Sequence, residues 1–190
     1  MSLAPWRSPL ARALHRNRSR AYSRYPQLAT VRPNGRPANR TVVFRDFLPE
    51  TDSLMFVTDV RSEKIDQIAH CAEGELCWYF TQTREQFRLG GRLQRIDAAS
   101  EAAASIRQRT WEKMSEKSRQ QFAWPEPGQP RAQAGYELID LSESPPLDAF
   151  AVLIFEPDTV DHLELRGEPQ NRFQYWQLPD LSWKITEVNP

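Results

Sequence analysis

The chain has 190 residues, 39% hydrophobic and 26% charged, with 25 basic and 25 acidic side chains and a formal net charge of zero. This length suits one domain spanning residues 1–190 with a buried core, and the balanced charge argues against a general nucleic-acid binder. No apolar run approaches the roughly 20 residues of a membrane helix. The N-terminus has no signal-peptide core, and Cys71 and Cys77 fit neither a redox nor a zinc pair, so a cytoplasmic protein with reduced thiols, no membrane association and no metal site is expected.

Every charged residue before Asp46 is Arg, and this arm reads as a helix and loop balanced by acids elsewhere on the surface. Ser8-Pro9 reads as an N-cap and first helical residue, and the helix runs to about residue 18 with Leu10, Ala13 and Leu14 inward. Tyr25-Pro26 breaks it. A strand over 27–31 and a turn over 33–37 follow. Residues 41–47 and 54–58 read as a hairpin across the polar turn of Pro49, Glu50, Thr51 and Asp52. A helix then starts at Ser62, carries Ile65, Ile68 and Ala69 on one face, and ends near Cys71 or Ala72. Strands are expected over 75–81 and 86–96, with Gly90-Gly91 marking a bulge. Residues 98–118 form a long helical pattern with Ile106 and Trp111 as core contacts, continued or restarted over 119–122. Residues 124–130 hold three prolines and form a loop. After Pro145-Pro146, strands are expected over 150–155, 159–165, 172–177 and 183–188. Closely spaced antiparallel strands with helices inserted between groups predict a mainly β, α+β fold: a barrel decorated by helices.

The chemistry concentrates between Asn39 and Lys64. A strand ending at Asp59 runs into a helix start, where backbone N–H groups and a partial positive charge suit a phosphate. Arg61 and Lys64 add full charges, Ser62 stands at the N-cap, and Arg40 adds a planar fork. His15, His70 and His162 are too few and too scattered to suggest a metal centre. No Ser/His/Asp set or carboxylate pair points to a catalytic residue.

The motifs RTVVFR, TDVRSEK and REQFRLGG together resemble the flavin-binding core of the pyridoxamine 5'-phosphate oxidases. APWRSPL and QLATVRPNGRPANRTVVFR resemble more closely a branch of that family related to cyanobacterial and plant-type proteins. The resemblance implies an FMN-binding split β-barrel, a homodimer with two FMN sites at its interface, and a small-molecule substrate. It assigns the phosphate to Arg40, Arg61, Ser62 and Lys64, and lays Thr41, Val42 and Val43 along the ring through their backbone. Val57 and Thr58 stand at the family's aromatic-threonine pair, and Arg45 stands where the family has a substrate-binding lysine. Gln86 matches a glutamine that reaches the flavin from the other subunit, and Arg172 matches an arginine near flavin N5 or N1. The implied reaction is hydride transfer from a C–N carbon to FMN, with reoxidation by oxygen.

The substrate side departs from the family. Glu168, Pro169 and Gln170 replace an Arg-x-His segment, Leu163 stands near a flavin-contacting tryptophan position, Glu63 replaces a basic residue, and a Tyr/Arg/Ser set is not found over 111–119. Pyridoxamine or pyridoxine 5'-phosphate is therefore one candidate substrate among small amines. A flavin reductase or dehydrogenase of the same fold and a non-catalytic FMN-binding protein stay open. A nucleic-acid binder using the Arg-rich arm is the weakest alternative.

Overall fold

The computed structural model describes residues 3–190. The first helix, α1 (Arg7–Arg16), begins one residue before the expected cap, with Trp6 at the N-cap position. Trp6, Leu10 and Ala13 are fully buried, so the apolar face is the one expected. Asn17 ends the helix: its side-chain amide donates to the Ala13 carbonyl at 2.8 Å and its oxygen accepts the Gln82 N–H at 2.8 Å. That buried asparagine stitches α1 to the sheet.

All strand pairs are antiparallel. The strands are β1 (Gln27–Val31), β2 (Pro37–Thr41), β3 (Asp46–Phe47), β4 (Leu54–Asp59), β5 (Glu73–Phe80), β6 (Glu85–Ile96), β7 (Phe150–Glu164), β8 (Asn171–Gln177) and β9 (Trp183–Val188). The sheet runs β2-β1-β5-β6-β7-β4-β3, with β8 and β9 branching from β7. The first half of β7 pairs with β4 and the second half with β8. This is the mostly antiparallel, unclosed sheet of a split barrel.

The expected hairpin over 41–47 and 54–58 is only half right. β2 belongs to β1. Beyond it, the Val42 and Phe44 N–H groups still bond back to the Pro26 and Arg24 carbonyls, whereas the Arg45 N–H bonds to the Met55 carbonyl. Val42 and Phe44 keep their side chains in the core while the backbone changes partners. One continuous run therefore crosses from one end of the sheet to the other and brings the two ends together. The α2 helix (Glu63–His70) follows β4 directly.

Two expected breaks moved. The expected strands over 150–155 and 159–165 form one long strand, β7, because β6 pairs with it from Val152 to Glu164. The irregularity is absorbed by a register shift at Gly90/Gly91 opposite Pro157, where a Cβ on Gly91 would lie 2.1 Å from the Glu156 carbonyl oxygen. Conversely, the 98–118 helix is divided into α3 (Ala104–Glu112) and α4 (Glu116–Gln120). Ser115 caps α4 by accepting the Ser118 N–H. The buried Arg119 guanidinium bonds the terminal α3 carbonyls of Trp111 and Glu112 at 3.1 and 3.0 Å. A tertiary anchor, not propensity, sets that turn.

The core lies on two sides of the sheet. One cluster joins Trp6, Leu10, Leu28, Trp78, Phe80, Phe87 and Phe155. The other packs Trp111, Met114 and Phe122 of the helical segment on Met55, Phe150 and Ile154. Full burial of each such side chain contributes about 1.5–3 kcal/mol. Among the described residues, no helix is long and apolar enough to cross a membrane.

Candidate functional site

Where β2 crosses toward β3, beside the end of β4 and the start of α2, the structure has a cleft of about 630 Å³. Its first wall contains Arg40, Thr41, Val42, Val43 and Arg45 from the crossing run, Val57 and Thr58 from β4, and Ser62 and Lys64 from the helix start. Nine of the twelve sequence-predicted site residues thus line one cavity. Arg61, Gln86 and Arg172 do not.

Ser62 occupies the N-cap with extended backbone (φ −79°, ψ 142°), but its side chain makes no capping hydrogen bond. Its hydroxyl donates instead to the Asp59 carbonyl at 2.7 Å and accepts from Lys64 Nζ at 2.8 Å. The first N–H groups of a helix have no intrahelical acceptor, and here no side chain is spent on them. Lys64 Nζ also donates to Thr58 Oγ1 at 2.9 Å. Burial, reinforced by the nearby Arg40, lowers the Lys64 pKa. The ammonium is held by neutral hydroxyls and, among the described residues, forms no ion pair.

The two arginines of the wall show the same pattern. Arg40 directs its fork to Thr30, Gln67 and the Leu28 carbonyl, and burial lowers its pKa. Arg45 has a buried Nε with no hydrogen-bond partner among the described residues. Burial, then the neighbouring Arg24, lowers its pKa as well. Three desolvated cations without carboxylate partners, two hydroxyls and an uncapped helix start make a donor set suited to a phosphate dianion. These residues fit the phosphate of FMN.

Arg61 is committed elsewhere. Its Nε and Nη2 bond the Asp59 carboxylate at 2.9 and 2.5 Å, and its backbone N–H reaches the same carboxylate at 2.8 Å. That hydrogen bonding raises its pKa. Its structural effect is to neutralise Asp59, which does line the cleft. Glu63 also turns away, pairing with Arg32 at 3.1 Å. Gln86 and Arg172 face each other across Leu163 of β7, away from the cleft of their own chain. Arg172 grips Asp161 with Nε and Nη2 at 3.1 and 2.8 Å. Glu168, Pro169 and Gln170 line a separate open pocket with Arg84 and Arg166.

The opposite wall escaped the sequence reading. It is formed by residues 121–136, including Trp124, Glu126, Gln129, Arg131 and Tyr136. Trp124 and Tyr136 are 41% and 38% exposed, with ring centroids 6.1 Å apart, and Arg131 lies 5.1 Å over the Tyr136 ring. The available signal was a tryptophan directly followed by closely spaced prolines, which keep the segment out of helix and sheet and leave a large ring on a loop. His162, one of the three histidines, meets Glu85 at 3.0 Å and lies near Glu164 at 3.9 Å. It serves there as a buried link stacked on Phe87.

A family model described as pyridoxamine 5'-phosphate oxidase, FMN-binding domain, matches residues 3–97. That segment contains the entire first wall but none of the second. The chain is 38% identical over 194 aligned residues to pyridoxine/pyridoxamine 5'-phosphate oxidase 2 of Arabidopsis thaliana, covering 99% of this chain and 98% of that protein. Among solved structures it is similar to a pyridoxamine 5'-phosphate oxidase-related, FMN binding protein of Nostoc punctiforme, with 49% identity, all of both chains covered and a TM-score of 0.96. PhzG of Burkholderia lata, solved with tetrahydrophenazine-1-carboxylic acid, has a TM-score of 0.75 at 18% identity, covering 98% of this chain and 93% of that one. This last likeness shows the shared fold.

Proposed function

The chain belongs to the pyridoxamine 5'-phosphate oxidase family of FMN-binding proteins, and from that premise we propose that it is a cytoplasmic, homodimeric FMN-dependent oxidoreductase acting on a small amine. The observation that carries this reading is the cleft in which Arg40, Arg45 and Lys64 converge without a carboxylate partner. When bound, FMN supplies the hydride-accepting centre and returns the electrons to oxygen. The protein supplies position and electrostatics. Lys64, Ser62, Thr58 and the α2 start hold the phosphate, with Arg40 beside them. The backbone of Thr41, Val42 and Val43 and the side chain of Val57 line the ring. Arg45 offers its unpartnered Nε to an anionic group. Gln86 and Arg172 do not line their own chain's cleft, while the family residues they match approach the flavin, the glutamine from the other subunit, and that is the support for the dimer. No protein nucleophile is required.

A second reading, a flavin reductase, a dehydrogenase or a non-catalytic FMN-binding protein, is favoured by one observation. Glu168 and Gln170 replace the family's substrate-binding pair, and a carboxylate repels a substrate phosphate. The purified protein titrated with FMN, followed by pyridoxamine 5'-phosphate under anaerobic conditions, separates the readings. Bleaching of the visible flavin band supports the oxidase. FMN binding without bleaching removes pyridoxamine 5'-phosphate as its substrate and favours the second reading, and failure to bind FMN overturns both.

A further inference from the structure

Gln67 lies on α2 behind the cleft and is 1% exposed. Its Oε1 accepts from Arg40 Nη2 at 2.7 Å and from the Thr30 hydroxyl at 2.6 Å. Its amide nitrogen donates to Glu63 Oε1 at 2.7 Å. A guanidinium can only donate, so the atom facing Arg40 must be the amide oxygen. The other arm of Arg40 reaches Thr30 Oγ1 at 2.5 Å and the Leu28 carbonyl at 3.3 Å. Every acceptor around this fork is therefore neutral.

That choice has an electrostatic consequence. A carboxylate is the usual partner of a desolvated arginine. One is close by: Glu63 stands one helical turn before Gln67, held there by the Gln67 amide and by Arg32. A glutamate at 67 would fix Arg40 as well as glutamine does, but it would cancel the charge. Glutamine fixes the fork and leaves the charge uncancelled.

We propose that Gln67 is a positioning residue that orients Arg40 toward the phosphate of FMN while keeping the guanidinium's charge available to that dianion. This rests on the reading of the cleft as an FMN site. The relay Arg32–Glu63–Gln67–Arg40 then separates the two jobs: the outer pair satisfies the carboxylate, and the inner pair aims the cation.

The test compares FMN with riboflavin, which has the same ring and no phosphate. Glu63→Gln combined with Gln67→Glu moves the carboxylate one turn along α2 onto Arg40 at constant net charge and keeps a donor and an acceptor between the two positions. FMN affinity is expected to fall at least tenfold while riboflavin affinity stays within about twofold. Gln67→Met, which removes the acceptor from Arg40, is expected to lower the FMN preference severalfold and decides the matter if the exchanged pair does not fold, as judged by circular dichroism. A purely structural role would weaken both ligands equally, and an unchanged FMN-to-riboflavin ratio in the folded variants overturns the proposal. A wild-type protein that does not prefer FMN to riboflavin overturns the cofactor reading, and this inference with it.

Discussion

Replacing Lys64 with methionine removes one charge from the cleft and keeps most of the side chain's volume. In the wild-type protein the ammonium has, among the described residues, only the Thr58 and Ser62 hydroxyls at 2.9 and 2.8 Å, so a phosphate oxygen gains a charge-assisted hydrogen bond there. Such a bond contributes about 1.5–3 kcal/mol, and 1.4 kcal/mol is a factor of about ten. FMN should therefore bind Lys64→Met about 10- to 150-fold more weakly, measured by quenching of flavin fluorescence, with riboflavin unchanged. The pH profile adds a second check. FMN affinity should rise as its phosphate loses its second proton near pH 6. It should fall again as pH rises through the Lys64 value, which burial holds below the ordinary lysine value of about 10.4. Lys64→Met keeps the acid limb and loses the alkaline one. Without ligand, the unfolded chain holds the Lys64 proton more tightly than the folded one, so below the lowered value this charge costs stability. The FMN-free variant should then have the higher Tm near neutral pH. An affinity loss under threefold, with the alkaline limb intact, would refute the assignment of Lys64 to the phosphate.

Arg61 and Gly91 give independent checks. Arg61→Ala leaves the Asp59 carboxylate uncompensated in the cleft wall, so FMN should bind roughly tenfold more weakly by like-charge repulsion. Adding Asp59→Asn should restore most of that loss, whereas a direct phosphate contact by Arg61 would leave the double variant as weak as the single. Gly91→Ala places a Cβ 2.1 Å from the Glu156 carbonyl oxygen, forcing the β6–β7 backbones apart at a cost of about 3 kcal/mol or more, above what Gly35→Ala costs. Each kcal/mol lowers Tm by about 2–4 °C at this chain length. Gly35→Ala, at φ +78° with open space around it, should cost only the left-handed backbone penalty of about 1–2 kcal/mol. Equal thermal shifts at the two glycines would contradict the close-approach argument.

What could be read from the chain depended on the range of the forces involved. The bulge at Gly90-Gly91 was legible because a missing Cβ is a local property. The continuity of β7 through Pro157 was not, because proline reads as a stop wherever the pairing strand is unseen, and here β6 continues past it. Residues 98–118 are rich in good helix formers, yet the helix breaks where the Arg119 side chain reaches back to α3. In the cleft, residue types grouped Arg40, Ser62 and Lys64, and the fold brings them to one cavity. The aromatic wall of Trp124 and Tyr136 was hidden because only the folded chain brings residues 121–136 opposite the crossing strand.

Arg61 shows why counting charges along a sequence misplaces them. A cation shapes the field around it only to the extent that no carboxylate already answers it. Arg32, Arg61, Arg88, Arg92, Arg95 and Arg172 are each answered by an acid within 3.1 Å. Arg40, Arg45 and Lys64 form no such pair among the described residues. The partners of Arg40 and Lys64 are an amide oxygen, hydroxyls and the Leu28 carbonyl, which orient a charge without removing it. A chain with formal net charge zero can therefore hold a positive corner, because the acids that balance its cations lie, apart from Asp59 and Glu126, outside the cleft. The same distribution accounts for the lowered pKa values of Arg40, Arg45 and Lys64: burial outweighs the partial compensation that Glu63 and Asp59 give and raises the free energy of the charged form, and a dianion bound among them would reverse that cost.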